Sequence, residues 1–119
     1  MSEILTVGSM PILALRGLAV FPEQTVHFEV GRAKSVRALD EAMKKDQTLL
    51  LIPQKDISVD DPNLDDLYPI GTVAKVKQIL RVHGDTIRVL VTGICRARIQ
   101  HLDAAEPYLT GTVARARTS

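Results

Sequence analysis

Residues 72–92 read TVAKVKQILRVHGDTIRVLVT, and this stretch decides the fold class. Apolar and polar residues alternate on both sides of His83-Gly84-Asp85. A period of two marks a strand with one buried face. Gly84 can take a positive φ, so a few residues suffice to reverse the chain. Strands joined by so short a turn pair antiparallel. On the first strand, Ala74, Val76, Leu80 and Val82 are expected to share a face. The phase slips near Gln78 and Ile79, where a bulge is expected. On the second strand Ile87, Val89 and Val91 point inward, and Gly93 is expected to break it.

Further strands flank this hairpin. Ile94 to Leu102 and Leu109 to Ala116 follow it, separated by a turn with Asp103 and Pro107. Before it, Pro11–Leu15 and Leu49–Ile52 are almost continuously apolar, as in strands buried on both faces. Thr25 to Val30 alternates, with Val26, Phe28 and Val30 on one side. Between residues 32 and 45 the period changes: Val36, Leu39 and Met43 form a narrow apolar stripe flanked by Ala33 and Ala42, which predicts one amphipathic helix. Asp40 with Lys44 and Glu41 with Lys45 are acid-before-base pairs one turn apart. Met1 to Ser9 has no period and reads as a loose tail. Lys55 to Asp66 carries five Asp and reads as a long solvated loop and the most mobile internal segment. The expectation is a mainly β (α+β) domain, an antiparallel, curled sheet of about six or seven strands with one covering helix. Gly71-Thr72-Val73-Ala74 recurs as Gly111-Thr112-Val113-Ala114, too short a match to establish a repeat.

The 119 residues suffice for one domain and one core, so residues 1–119 are read as a single domain. Aromatics are only 3% and Trp is absent, so no stacking platform for bases or sugars is available. The net charge is +1, but it is uneven. From Gly71 onward eight basic residues face three acidic ones. Such a bias fits either solvated strand faces or a surface for polyanions. Cys95 is the single cysteine, so an intrachain disulfide is excluded. The N-terminus lacks the pattern of a secretory signal, no apolar run reaches membrane-spanning length, and the chain reads as cytosolic.

Catalytic patterns are missing. There is no phosphate-cradling G-x-x-x-x-G-K-[ST] and no G-x-S-x-G elbow, so no catalytic residues are assigned. His27, His83 and His101 lack metal-ligand spacing with Cys95, and Asp60 to Asp66 lacks the glycine and terminal glutamate of a calcium loop, so neither metal nor cofactor is expected. Cys95 shares a face with Ala97 and Ile99 and reads as a buried thiol. Gly17-Leu18-Ala19-Val20-Phe21-Pro22 stands out as an apolar connection. It is either an exposed binding loop or a lid folded onto the core. Leu18, Val20, Phe21 and Tyr68 are the candidate protein-binding residues. A free strand edge offering main-chain pairing is a second route.

Several stretches together resemble the N-terminal, substrate-binding domain of Lon ATP-dependent proteases. They are Pro11-Ile12-Leu13-Ala14-Leu15-Arg16, Val20-Phe21-Pro22, Val30-Gly31-Arg32 and Ser35-Val36 with Ala38-Leu39. In the second half they are Ile70-Gly71-Thr72-Val73-Ala74, Ile87-Arg88-Val89-Leu90-Val91-Thr92-Gly93 and Arg96-Ala97-Arg98-Ile99. Their order covers residues 10–116. The resemblance implies a PUA-like, partly closed sheet that recognises unfolded, damaged or degron-bearing proteins and helps arrange a hexamer. It also implies that this chain is a non-catalytic fragment, because the family's AAA+ ATPase and serine–lysine peptidase modules fall outside it. The alternative is a stand-alone PUA-like protein binding nucleic acid or another polyanion. It is disfavoured by the missing aromatics and by alternation, which divides the basic residues between sheet faces.

Overall fold

Two strands without polar interruption set the architecture. In the computed structural model, β1 (Thr6–Leu15) and β3 (Thr48–Pro53) lie side by side and parallel, Ile12 opposite Leu50 and Ala14 opposite Ile52. Leu13, Leu15, Leu49 and Leu51 enter one core, while Met10, Ile12, Ala14, Leu50 and Ile52 enter a second on the opposite face. Burial on both faces is why these runs carry no polar alternation. The structure describes residues 6–31, 33–59, 62, 64–84, 86–104 and 108–115, with side chains omitted at residues 6, 7, 64, 82, 83 and 115.

The remaining elements are β2 (Thr25–Val30), α1 (Ala33–Lys44), β4 (Ile70–His83), β5 (Thr86–Ala104) and β6 (Thr110–Arg115), with a 3-10 turn at Leu64–Asp66. The six strands form one sheet in the order β2-β5-β4-β3-β1-β6, and a further β5–β6 pairing closes five of them into a ring. Helix α1 covers the first core with Ala38, Leu39 and Ala42, each 0% exposed. On this helix Lys44 pairs with Glu41 at 3.5 Å, in place of the expected Asp40–Lys44 and Glu41–Lys45 pairs. Gln47, with a φ of 67°, and the Asp46 carboxylate, accepting from Thr48 N–H and Oγ1, turn the chain from helix to strand.

Three expectations are corrected. Gly93 does not break a strand: β5 runs 19 residues through it, and the sheet has six strands. Val73 faces Cys95 while Ala74 faces Gly93, so Ile94 is an extra residue that bulges the strand where it passes from the first core to the second. Ile87, Val89 and Val91 precede that point, and Cys95, Ala97 and Ile99 follow it. The bulge expected near Gln78 is present, but it turns Ile79 inward and leaves Leu80 51% exposed. The supposed tail is already strand at Thr6–Ser9, paired with β6; Met1–Leu5 lie outside the described residues.

The described part of the acidic stretch is held to the sheet. Gln54 is buried, and its Nε2 donates to the carbonyls of Asp56 and Val59 at 3.1 and 2.9 Å. Pro62 and Leu67 are buried as well, and Gln54 bridges Leu67. The Asp60, Asp61 and Asn63 of this loop, the Asp85 and Pro107 assigned to turns, and Arg32 at the expected helix start lie outside the described residues.

Candidate functional site

The apolar connection after β1 forms a strap, residues 16–24, pinned at several points. Gly17 turns with a φ of 69°. Val20 inserts into the first core at 4% exposure, and the Thr72 hydroxyl donates to its carbonyl. Phe21 N–H donates to Gln24 Oε1 at 3.0 Å, and Gln24 N–H returns to the Phe21 carbonyl at 3.1 Å. Glu23 takes a φ of 67°, which is uncommon for a residue with a side chain. It is held there because Glu23 N–H donates to the Gly93 carbonyl and Gly93 N–H to the Gln24 carbonyl, both at 2.9 Å. A left-handed residue of this kind persists only where its surroundings enforce it. Here the enforcement comes from the strap lying against Gly93.

The question of loop or lid therefore has a divided answer. Val20, expected among the binding residues, is a buried plug, since the strap needs an apolar anchor. Phe21, immediately after it, is 52% exposed. Leu18 is half-buried and Tyr68 is 48% exposed. The strap separates two grooves. The larger, about 310 Å³, runs between the ends of β1 and β2 and the start of α1, lined by Leu13, Leu15, Leu18 and Phe28 with Arg16 and Glu29. The smaller, about 80 Å³, lies between Phe21, Leu51, Pro53 and Ile70, with Arg96 beside them. Tyr68 N–H donates to the Pro53 carbonyl at 3.1 Å, and its exposed ring lies outside the lining of both grooves. The four candidates are thus not one patch. Leu18 lines the larger groove, Val20 and Phe21 line the smaller, and Tyr68 lines neither.

Three exposed apolar side chains escaped the sequence reading, Ile57 at 57%, Leu80 at 51% and Ile94 at 49%. Leu80 follows a bulge, and Ile94 is the inserted residue of another, so both leave the phase that their neighbours keep. The only available signal was the lapse of alternation near Gln78 and at Gly93. Leu80, Leu90, His27, Gln78 and Arg88 line a further hollow of about 210 Å³ on the outer face of β2, β5 and β4. Arg88 is engaged by Glu29 at 3.1 Å, which removes it from any continuous basic track. Asp103 joins three strands, accepting from Ser9 and Thr112 hydroxyls and pairing with His101 Nδ1 at 2.8 Å. The Asp46 and Asp56 carboxyls are held below the usual carboxylate value, chiefly by the Thr48 and Ser58 hydroxyls respectively. Among the described residues no group of acidic, His or Cys side chains is placed to hold a metal, and no helix is long and apolar enough to cross a membrane.

Residues 9–118 match the family described as the ATP-dependent protease La (LON) substrate-binding domain. The chain belongs to that family. This Lon domain is 49% identical over 102 residues to a Lon protease of Desulforamulus reducens, 86% of the chain and 13% of that protein. It is 47% identical over 104 residues to a Lon protease of Clostridium acetobutylicum, and 47% over 100 residues to Lon protease 1 of Bacillus subtilis. These alignments cover 87% and 84% of the chain, and in each case the chain spans 13% of the relative. Among solved structures, the N-terminal domain of a Mycobacterium avium complex Lon protease superposes with a TM-score of 0.73 at 24% identity, over 93% of this chain and 56% of that one. A Lon N-terminal domain protein from Xanthomonas campestris gives 0.70 at 13% identity, over 93% and 61%. The Lon domain's mainly β fold with one helix is shared with both.

Proposed function

We propose that this Lon domain recruits unfolded, damaged or degron-bearing polypeptides for an ATP-dependent protease and has no catalysis of its own. The observation that carries the reading is Phe21, an aromatic ring 52% exposed on a backbone fixed by five hydrogen bonds of the strap. Its exposure follows from the plug at Val20, not from a loose loop. A half-exposed phenylalanine leaves on the order of 100 Å² of apolar surface in water. Covering that area is worth about 2.5 kcal/mol at most. Contacts of this size are weak singly. Self-association in a ring would multiply them by raising the effective concentration of neighbouring sites. The smaller groove beside Phe21 and the larger one beside Leu18 offer places for the next side chains of an extended chain.

The test uses fluorescently labelled, reduced and carboxymethylated lactalbumin, which stays unfolded. Phe21→Ser should weaken its binding about tenfold or more, with the domain still cooperatively folded at the assay temperature. Binding should persist from low to moderate salt, because apolar contact is not screened. Tight binding of single-stranded RNA at moderate salt, with none of lactalbumin, overturns the proposal, because counterion-driven affinity should collapse there.

A further inference from the structure

We infer that the outer edge of β2 is a main-chain addition site for an extended, alternately apolar segment of a polypeptide. The inference rests on the recruitment reading above and names how the captured chain is held. β2 pairs on one side only, with β5, from Thr25–Thr92 to Val30–Ile87 without a register shift. The Gln24 carbonyl already faces β5, where it accepts from Gly93. Antiparallel alternation then turns the N–H and C=O groups of Val26, Phe28 and Val30 toward β5 and those of Thr25, His27 and Glu29 away from it. The close side-chain pairs Thr25–Thr92, 3.0 Å, and Glu29–Arg88, 3.1 Å, agree, since they belong to the non-bonded pairs of such a ladder. Among the described residues no main-chain partner stands on the outer side of Thr25, His27 or Glu29.

The outer half of β4 is also unpaired beyond β5, and the contrast between the two edges is informative. That half of β4 is bulged and carries Lys77 and Arg81, the usual devices that stop another strand from adding. β2 has neither Lys nor Pro nor a bulge. Its free side also opens onto the larger groove, whose walls include Phe28, Glu29 and Val30 from β2 and Leu13, Leu15 and Leu18 opposite. A strand laid along β2 would direct every second side chain into that apolar groove and the others outward. Main-chain bonding supplies affinity without regard to sequence, and the groove asks only for alternate apolar residues.

The probe is an eight-residue peptide alternating valine with threonine and lysine, capped at both ends. A second version is N-methylated along its central residues, which removes the main-chain donors. The peptide should bind, and hydrogen exchange at the Thr25, His27 and Glu29 amides should slow at least tenfold. Methylation should weaken binding at least tenfold. His27→Pro removes an amide that the fold itself does not use, and should weaken binding similarly without lowering the melting temperature. Equal binding of both peptides, or unchanged exchange at the three amides, overturns the inference. If lactalbumin still binds through Phe21 in that case, the recruitment reading stands alone. If the amides are protected without peptide and increasingly so with protein concentration, the occupant is a second copy of β2 and the inference is likewise overturned.

Discussion

Replacing Gly93 by Ala tests whether the strap is held as described. The added methyl would overlap the Phe21 carbonyl oxygen and stand 3.0 Å from its carbonyl carbon and 3.2 Å from Pro22 Cα. These are backbone atoms, so relief requires the strap itself to lift. Lifting it breaks the two 2.9 Å bonds that join Gly93 to Glu23 and Gln24. Each such bond contributes about 1 kcal/mol net. Val20, now 4% exposed, would be drawn partly out of the core, at about 1 kcal/mol for half its burial. The expected loss is about 3 kcal/mol, or about 10 °C in melting temperature for a domain of this size. Urea unfolding followed by circular dichroism measures it. Gly31→Ala is the control, since the nearest atom to its new methyl is Thr86 Oγ1 at 3.9 Å, and it should change stability by less than about 0.5 kcal/mol. A Gly93→Ala variant as stable as that control, with unshifted amide resonances at Phe21 and Glu23, refutes the account.

Val20→Ala should destabilise by about 2 kcal/mol without weakening binding by the folded domain, whereas Phe21→Ser should weaken binding, and paired melts and titrations separate plug from contact. Gln54→Leu leaves the Asp56 and Val59 carbonyls without their donor but also deletes the Oε1 atom that has no partner. The net stability loss should be only about 1 kcal/mol, while limited proteolysis within residues 55–66 should accelerate clearly. Asp46 has a folded-state value lowered from 3.8, so its ionised form adds stability above that pH, and the contribution is lost as pH falls through the lowered value. Stability should therefore drop in acid below about pH 4. Asp46→Asn should flatten that acid limb by a few tenths of a kcal/mol, solvent screening keeping the effect small; an unaltered limb counts against it.

The strands of the 72–92 hairpin were legible because each has one wet face, and alternation reports that directly. The two-faced burial of β1 and β3 was equally legible in their unbroken apolar runs. The passage of β5 through Gly93 was hidden. A glycine reads locally as a breaker, yet here it is required by a close approach from residues more than 60 positions earlier. Leu80 was misassigned for a related reason: the bulge near Gln78 was legible, but not which of the residues after it would turn inward. The anchoring of the acidic loop rests on Gln54, whose burial is invisible in a polar side chain. Within the candidate site the strap was recognisable as apolar, but not which of its residues faced water. Val20 and Phe21 are adjacent in sequence and opposite in fate, and only Val20's place in the first core, with the Thr72 hydroxyl on its carbonyl, separates them.

The pairing of the first strand with the last has a consequence for how the domain is made. Thr6 stands opposite Ala114 and Pro11 opposite Thr110, so β1 reaches completion only when β6 arrives. β3 can dock on β1 during synthesis, as can α1. The flank of β1 meant for β6 stays bare until nearly the whole span has emerged from the ribosome. Contacts so distant in sequence make folding slow relative to helical domains of equal size. At about 5–20 residues per second of elongation, the half-built barrel persists for seconds as an open sheet edge. The proposed capturer of unfolded chains thus passes, while being born, through a stage in which it resembles its own quarry.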